Sequence, residues 1–256
     1  MRAQHQHHSR IALVWQQIRR LPNHAPTVAA WLGCVAVLAL VGLIVNTVLP
    51  IAFVHPAQAA LFSPLAIVIV AALGLLGARL AERTGFPAPF GNGVSPLRRF
   101  GVPVALGLGL GALFLLTDIV SGFSRLQAAA FGLETVIIPP PGGLLVYGAG
   151  ALYSDVLFRL LPLPLLLWLV SSLLLRGHHQ QRSFWVLAVF TALLEPLAQS
   201  PVTLILPPLT FAAVLAQQFA GNLAQAFFFR RYGLLASIVL RLAFYLVYDG
   251  FGAGLR

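Results

Sequence analysis

Seven stretches of this chain are each apolar enough and long enough to cross a lipid bilayer: residues 28–53, 60–80, 101–122, 143–175, 183–200, 208–229 and 232–250. About 20 apolar residues in a helix span ~30 Å of hydrocarbon. Lipid offers no water to bond an exposed backbone, so such stretches are predicted to be helical. The expected fold class is therefore all-α, a polytopic membrane bundle of about seven helices. Composition agrees, with 59% hydrophobic and only 9% charged residues, where a soluble domain carries about a quarter charged.

The net charge of +10 invites a nucleic-acid reading, but the placement of the charge excludes it. Every one of the 16 basic residues is arginine. Arginines 2, 10, 19 and 20 precede the first span, 79, 83, 98 and 99 flank the second loop, 176 and 182 the fourth, and 230 and 231 the sixth. All twelve fall on one side of a seven-span arrangement, and basic loops stay in the cytoplasm. The N-terminus is expected inside and the C-terminus outside. Only Arg125 and Arg256 lie opposite, while Arg159 and Arg241 fall within spans.

Three regions follow: a cytoplasmic tail (1–27), an N-terminal membrane region of three spans (28–142) and a four-span core (143–256). In the tail, Ile11, Val14, Trp15, Ile18 and Leu21 have helical spacing beside Arg19 and Arg20, which suggests a helix lying in the membrane interface. Ala57-Gln58-Ala59 resembles a signal-peptide cleavage site, but the preceding polar region is too long and the apolar run exceeds a signal core. Residues 143–175 would extend about 50 Å as one helix. Pro162 and Pro164 each remove a backbone donor there, so a kinked continuation along the cytoplasmic surface is expected. The Pro139–Gly143 run reads as an outer turn. Gly107-x-x-x-Gly111 is expected to serve close helix packing within the chain. Cys34 is alone, so no intrachain disulfide forms. No internal repeat supports an inverted-repeat transporter, and no metal or cofactor is expected.

Ionisable residues inside apolar spans demand explanation, because each costs roughly 2.5–3.5 kcal/mol near the bilayer centre. Counting inward places Asp155 about 12 Å, Arg241 about 14 Å and Glu195 about 18 Å from the cytoplasmic boundary, with Arg159 about 6 Å deep and within snorkelling reach of the headgroups. Two acids and two arginines sum to zero. Asp155 and Arg159 share a helix face at i, i+4, and Glu195 with Arg241 is the natural second pair. The four form either closed ion pairs that fix helix register or a polar site at the membrane midplane. Asp118 and Asp249, near the outer span ends, read as ordinary solvated carboxylates.

Residues 143–249 resemble the core of the CPBP intramembrane endopeptidases, the CAAX-protease and bacteriocin-processing group. The resemblance rests on Ser154-Asp155-Val156-Leu157-Phe158-Arg159 with its apolar continuation, on Phe227 to Ser237, and on the loop Arg83-Thr84-Gly85-Phe86-Pro87-Ala88-Pro89. It implies a Glu-Glu-x-x-x-Arg helix, a Phe-x-x-x-His helix and a His-x-x-x-Asn helix that together activate a water for peptide hydrolysis. The reactive positions differ here. Ser154 and Asp155 stand for the two glutamates, Phe190-x-x-x reaches Leu194 with Glu195 next to it, and Arg241 and Tyr245 occupy the histidine and asparagine positions. All seven histidines (5, 7, 8, 24, 55, 178 and 179) lie outside the core spans. Asp155 is one methylene shorter than glutamate and sits beside Arg159, and arginine shuttles no proton near neutral pH.

No catalytic residue is therefore assigned. The expected protein is a catalytically degenerate, multi-pass scaffold in a prokaryotic cell membrane. Its polar cluster (Asp155, Arg159, Glu195, Arg241) would meet membrane lipid, a hydrophobic or lipidated peptide or a partner's helix. An active endopeptidase using Asp155 or Glu195 with Arg241, and a transporter or proton relay, are the alternatives.

Overall fold

A computed structural model describes residues 26–49, 51, 53, 56–90, 93–175, 178–199 and 206–256. The described residues form an all-helical bundle. The expected interfacial helix of the tail, and the histidines at 5, 7, 8, 24 and 55, lie outside them.

Helix α1 (Pro26–Thr47) is followed by the single turn α2 (Pro56–Ala60) and by α3 (Pro64–Arg83). The Ala57-Gln58-Ala59 segment is thus part of a short helix. Ser63 caps α3 by accepting from Ala66 N at 3.2 Å, with Pro64 at the first helical position, where its missing N–H costs nothing. At the other end of the hairpin, Glu82 Oε1 accepts from Thr27 N and Val28 N at 2.9 and 3.3 Å. A carboxylate there satisfies orphan donors and complements the positive end of α1. Trp31 is fully buried between the two helices and donates to Ala71 O at 3.0 Å.

Helix α4 (Val102–Ser121) enters through a wide π turn, Leu97–Gly101, and α5 (Phe123–Ala130) folds back after Gly122, whose φ of 67° suits glycine. Helix α6 (Gly142–Asp155) runs on through a π turn (Val156–Leu160), α7 (Pro162–Leu167) and a second π segment (Trp168–Leu174). Then come α8 (Gln180–Gln199), α9 (Pro208–Tyr232) and α10 (Leu234–Tyr245), the last extended by a π turn (Leu246–Gly250) and a 3-10 turn (Phe251–Gly254).

Five of these segments are long and apolar enough to cross a membrane: Pro26–Thr47, Pro64–Arg83, Leu97–Ser121, Gly142–Ser171 and Leu234–Gly254. Helices α8 and α9 have the length, at 20 and 25 residues, but are less apolar. They carry Glu195 and the amides Gln217, Gln218, Asn222 and Gln225.

The bundle has an apolar exterior as well as an apolar core, and it buries several polar and charged side chains. Leu40 and Leu43 of α1, Val68 and Ile69 of α3 and Val186 and Phe190 of α8 are exposed, whereas Glu195, Asn222, Gln225 and Arg241 are buried. An apolar exterior with ionisable and amide side chains gathered inside is the distribution that lipid, rather than water, selects. Since lipid gives little drive to press apolar helices together, close backbone approach has to hold them. The α4–α10 contact shows it. A Cβ on Gly107 would stand 2.2 Å from Leu240 O, and one on Gly111 would stand 2.7 Å from Phe244 O. The glycine pair packs within the chain.

The stretch after Pro162 differs from expectation. Its first part, α7, packs between α3 and α8 with Leu163 and Leu167 fully buried, while Leu169 and Leu174 further on are exposed. The physical reason is the π turn before it. Leu161 N bonds Val156 O at 3.1 Å, one residue further back than in an α-helix, and this widened turn accommodates a proline that has no N–H to give.

Candidate functional site

The four expected ionisable residues meet in one buried chain of ion pairs. Arg159 Nη1 donates to Asp155 Oδ1 at 3.2 Å, and Arg159 Nη2 donates to Glu195 Oε2 at 2.6 Å. Arg241 Nη2 donates to the other oxygen, Glu195 Oε1, at 2.5 Å. The two pairs read from the sequence are thus one network, joined by an Arg159–Glu195 bond. Arg159, within snorkelling reach of the headgroups by depth, turns inward and is 3% exposed. Arg159 belongs to the π turn, which itself packs against α8.

Uncharged residues complete the network. Asn222 Oδ1 accepts from both arginines, at 2.6 Å from Arg159 and 3.2 Å from Arg241, while Asn222 Nδ2 donates to Ala192 O at 3.3 Å. Arg241 Nε donates to Gln225 Oε1 at 3.0 Å, and Ser237 Oγ donates to Asp155 Oδ1 at 3.1 Å. Sequence reasoning passed over these three. The signal was there, because Gln218, Asn222 and Gln225 follow i, i+4, i+7 spacing and so form a carboxamide stripe on one face of α9.

The other motif positions scatter. Leu194 is exposed together with Phe190, so that register faces outward while Glu195 faces in. Ser154 is half-buried, and Tyr245 lines a cavity near Arg241.

That cavity, of about 480 Å3, separates the ionisable residues into two groups. Glu195 and Arg241 line it, together with Gln217, Gln218, Asn222 and Gln225 of α9. Asp155 and Arg159 do not; they are closed off behind Glu195. Aromatic rings form part of the wall: Phe114 from α4, Phe123 and Phe131 from α5 and its loop, Phe244, Tyr245 and Tyr248 from α10 and its extension. Tyr147 pins the overlying loop, accepting from Ile138 N and donating to Val136 O, both at 3.3 Å. The volume and the apolar wall with convergent polar groups are those of a small-molecule site.

Asp118 and Asp249 are not solvated. They are 3% and 5% exposed and hold Arg256 from two sides at 3.3 Å each. Asp118 also accepts from Ser124 N at 2.7 Å, from Ser124 Oγ and from Tyr248 Oη at 2.9 Å. The Arg256 guanidinium lies 3.9 Å from the centre of the Tyr248 ring. Two residues far apart in sequence, Ser124 and Arg256, fold over these acids, which is why reading span ends alone misplaced them. Asp249 and Arg256 line the same cavity, at the opposite end from Arg241.

At the other end of the bundle, Arg230 donates to Thr84 O and Gly85 O at 3.1 and 3.2 Å, and its guanidinium lies 5.0 and 5.5 Å from the Phe86 and Phe184 rings. Arg99 Nη1 donates to Pro89 O at 2.6 Å. The loop from Arg83 to Pro89 is therefore fastened by arginines of α9 and of the π turn before α4. His178 and His179 sit in an exposed turn.

Compared with protein-family models, with curated proteins and with solved structures, the chain matches none.

Proposed function

We propose that this chain is a catalytically silent membrane scaffold that receives an amphipathic ligand in the cavity between α4, α9 and α10. It keeps a core like that of the CPBP endopeptidases, crosses the cell membrane of a prokaryote seven times and has its N-terminus in the cytoplasm. The ligand is a hydrophobic peptide, a lipid or the polar side chain of a partner's helix.

One observation carries the reading: both carboxylate oxygens of Glu195 are taken by arginines, at 2.6 and 2.5 Å. A general base needs a free oxygen within reach of a water and a pKa near the working pH. Two guanidiniums oppose both requirements. Asp155 lies off the cavity altogether. What remains facing the cavity is a set of hydrogen-bonding groups held in place by internally balanced charge, which suits binding. The seven-span count is supported by the orientation of α8 and α9, whose polar residues turn inward and leave Val186, Phe190, Leu197 and Phe227 on the outside.

The test is photolabelling in nanodiscs with a diazirine-bearing fatty alcohol, with the adducts mapped by mass spectrometry. Saturable labelling of Phe114, Phe244 or Tyr248 is expected. Gly221 lines the cavity with no atom closer than 3.9 Å to an added Cβ, so Gly221→Leu should fold and abolish that labelling. Labelling confined to exterior residues such as Leu65 and Val186 would refute the proposal.

A further inference from the structure

Acids are scarce enough in this chain to be accounted for one by one. Of the six, Asp155 and Glu195 lie in the inner network, Asp118 and Asp249 hold Arg256, and Glu134 lies in the loop between α5 and α6. The sixth, Glu82, caps α1. At the end of the bundle that carries the loop from Arg83 to Pro89, Glu82 is thus the one carboxylate among the described residues. It faces Arg79, Arg83, Arg98, Arg182 and Arg231, all of them exposed.

Two of these arginines are brought together by one helix seam. Three contacts set the antiparallel register of α8 and α9. Asn222 Nδ2 reaches Ala192 O at 3.3 Å, the Trp185 and Phe227 ring centres lie 6.3 Å apart, and Arg230 lies 5.5 Å from the Phe184 ring centre. Trp185 and Phe227 are both exposed and stack across the seam. Arg182 precedes Trp185 by three residues and Arg231 follows Phe227 by four, spacings that keep each on the helix face of its ring and one turn nearer the same end. Neither meets a carboxylate among the described residues. Arg230, next in sequence, instead turns inward to Thr84 O and Gly85 O. On the other side of the rings, the exposed Val189 and Leu193 continue the same face of α8 at i+4 and i+8 from Trp185.

We infer that the α8–α9 seam binds an anionic phospholipid, its phosphate between Arg182 and Arg231 and an acyl chain over Trp185, Phe227, Val189 and Leu193. An anion relieves the repulsion between two like charges held across a seam. Guanidinium groups match phosphate oxygens with paired N–H donors, and an indole belongs at the headgroup level. A zwitterionic lipid brings the same phosphate together with an ammonium that the arginines repel. This site lies on the exterior of the bundle and is independent of the cavity.

Fluorescence quenching in nanodiscs tests it, with phosphatidylglycerol or phosphatidylcholine brominated on the acyl chains and added in increasing mole fraction to unbrominated phosphatidylcholine. The Trp185 signal is the emission of the full chain minus that of its Trp185→Phe variant. It should be quenched with a relative binding constant about tenfold in favour of phosphatidylglycerol. Arg182→Gln combined with Arg231→Gln should bring the two lipids level, and either change alone should lower the preference about threefold. Arg79→Gln combined with Arg98→Gln removes the same charge from α3 and the π turn before α4, and should leave the preference intact. Equal quenching by both lipids in the wild type overturns the inference. So does an equal loss in the two double variants, which would make the preference a property of the whole basic end. Should the seam double variant fail to fold, the single changes decide: an unaltered preference in both refutes the site.

Discussion

Removing the Glu195 carboxylate should be among the most damaging single changes in this protein, and removing Arg241 with it should repair much of the damage. Glu195 binds two guanidiniums, at 2.6 and 2.5 Å. At charge separations near 4 Å and an effective dielectric of about 20, each attraction is worth about 4 kcal/mol. Glu195→Gln forfeits both and turns an amide N–H toward one of the arginines. Against that loss, one fewer ion has to be buried, which returns several kcal/mol. The net cost should be about 3–5 kcal/mol. Glu195→Gln leaves the network at +1, and Arg241→Gln leaves it at −1. The double variant is neutral and keeps Asp155 paired to Arg159, with Asn222 still bonded to Arg159. It should be milder than the sum of the single changes by about 1–3 kcal/mol. Unfolding by SDS in mixed micelles, followed by circular dichroism, measures each variant. Single-variant losses below about 0.5 kcal/mol, or strict additivity, would refute the network as an energetic unit.

Further outcomes follow from the packing. Gly107→Ala should destabilise by about 1–3 kcal/mol, since its Cβ would meet Leu240 O at 2.2 Å, whereas Gly109→Ala, with nothing within 4 Å, should be neutral; equal effects in the same SDS titration would contradict the α4–α10 contact. Arg230→Gln should free the loop from Arg83 to Pro89, seen as new proteolytic cleavage between those residues, because the bonds to Thr84 O and Gly85 O are lost. In a Cys34→Ala background, Thr135→Cys should react with an impermeant maleimide on intact cells and Gly93→Cys only after permeabilisation. The reverse pattern would invert the orientation.

Hydropathy made the helices legible, because lipid imposes a length and an apolar exterior that a single chain displays directly. Local spacing made the Asp155–Arg159 pair legible, and depth matching suggested Glu195 with Arg241. The rest depends on contacts between segments far apart. The Arg159–Glu195 bond joins the π turn at Val156–Leu160 to α8, and a proline at 162 signals a disturbance without giving its direction. Asn222 and Gln225 were visible as a polar stripe but carry no charge, so they drew no notice beside four ionisable neighbours. Asp118 and Asp249 looked solvated because Arg256 and Ser124, which cover them, lie more than a hundred residues from one partner or on the next helix. Phe114, Phe244 and Tyr248 read only as apolar span residues until α4 and α10 brought them around one cavity.

The central claim is that the fold binds without cutting. Purified protein in nanodiscs, incubated with prenylated and hydrophobic peptides and followed by intact-mass spectrometry, tests it most directly. The expected result is no product above a protein-free control, for the wild type and for Asp155→Asn and Glu195→Gln alike. Product formed by the wild type and lost in either variant would contradict the account.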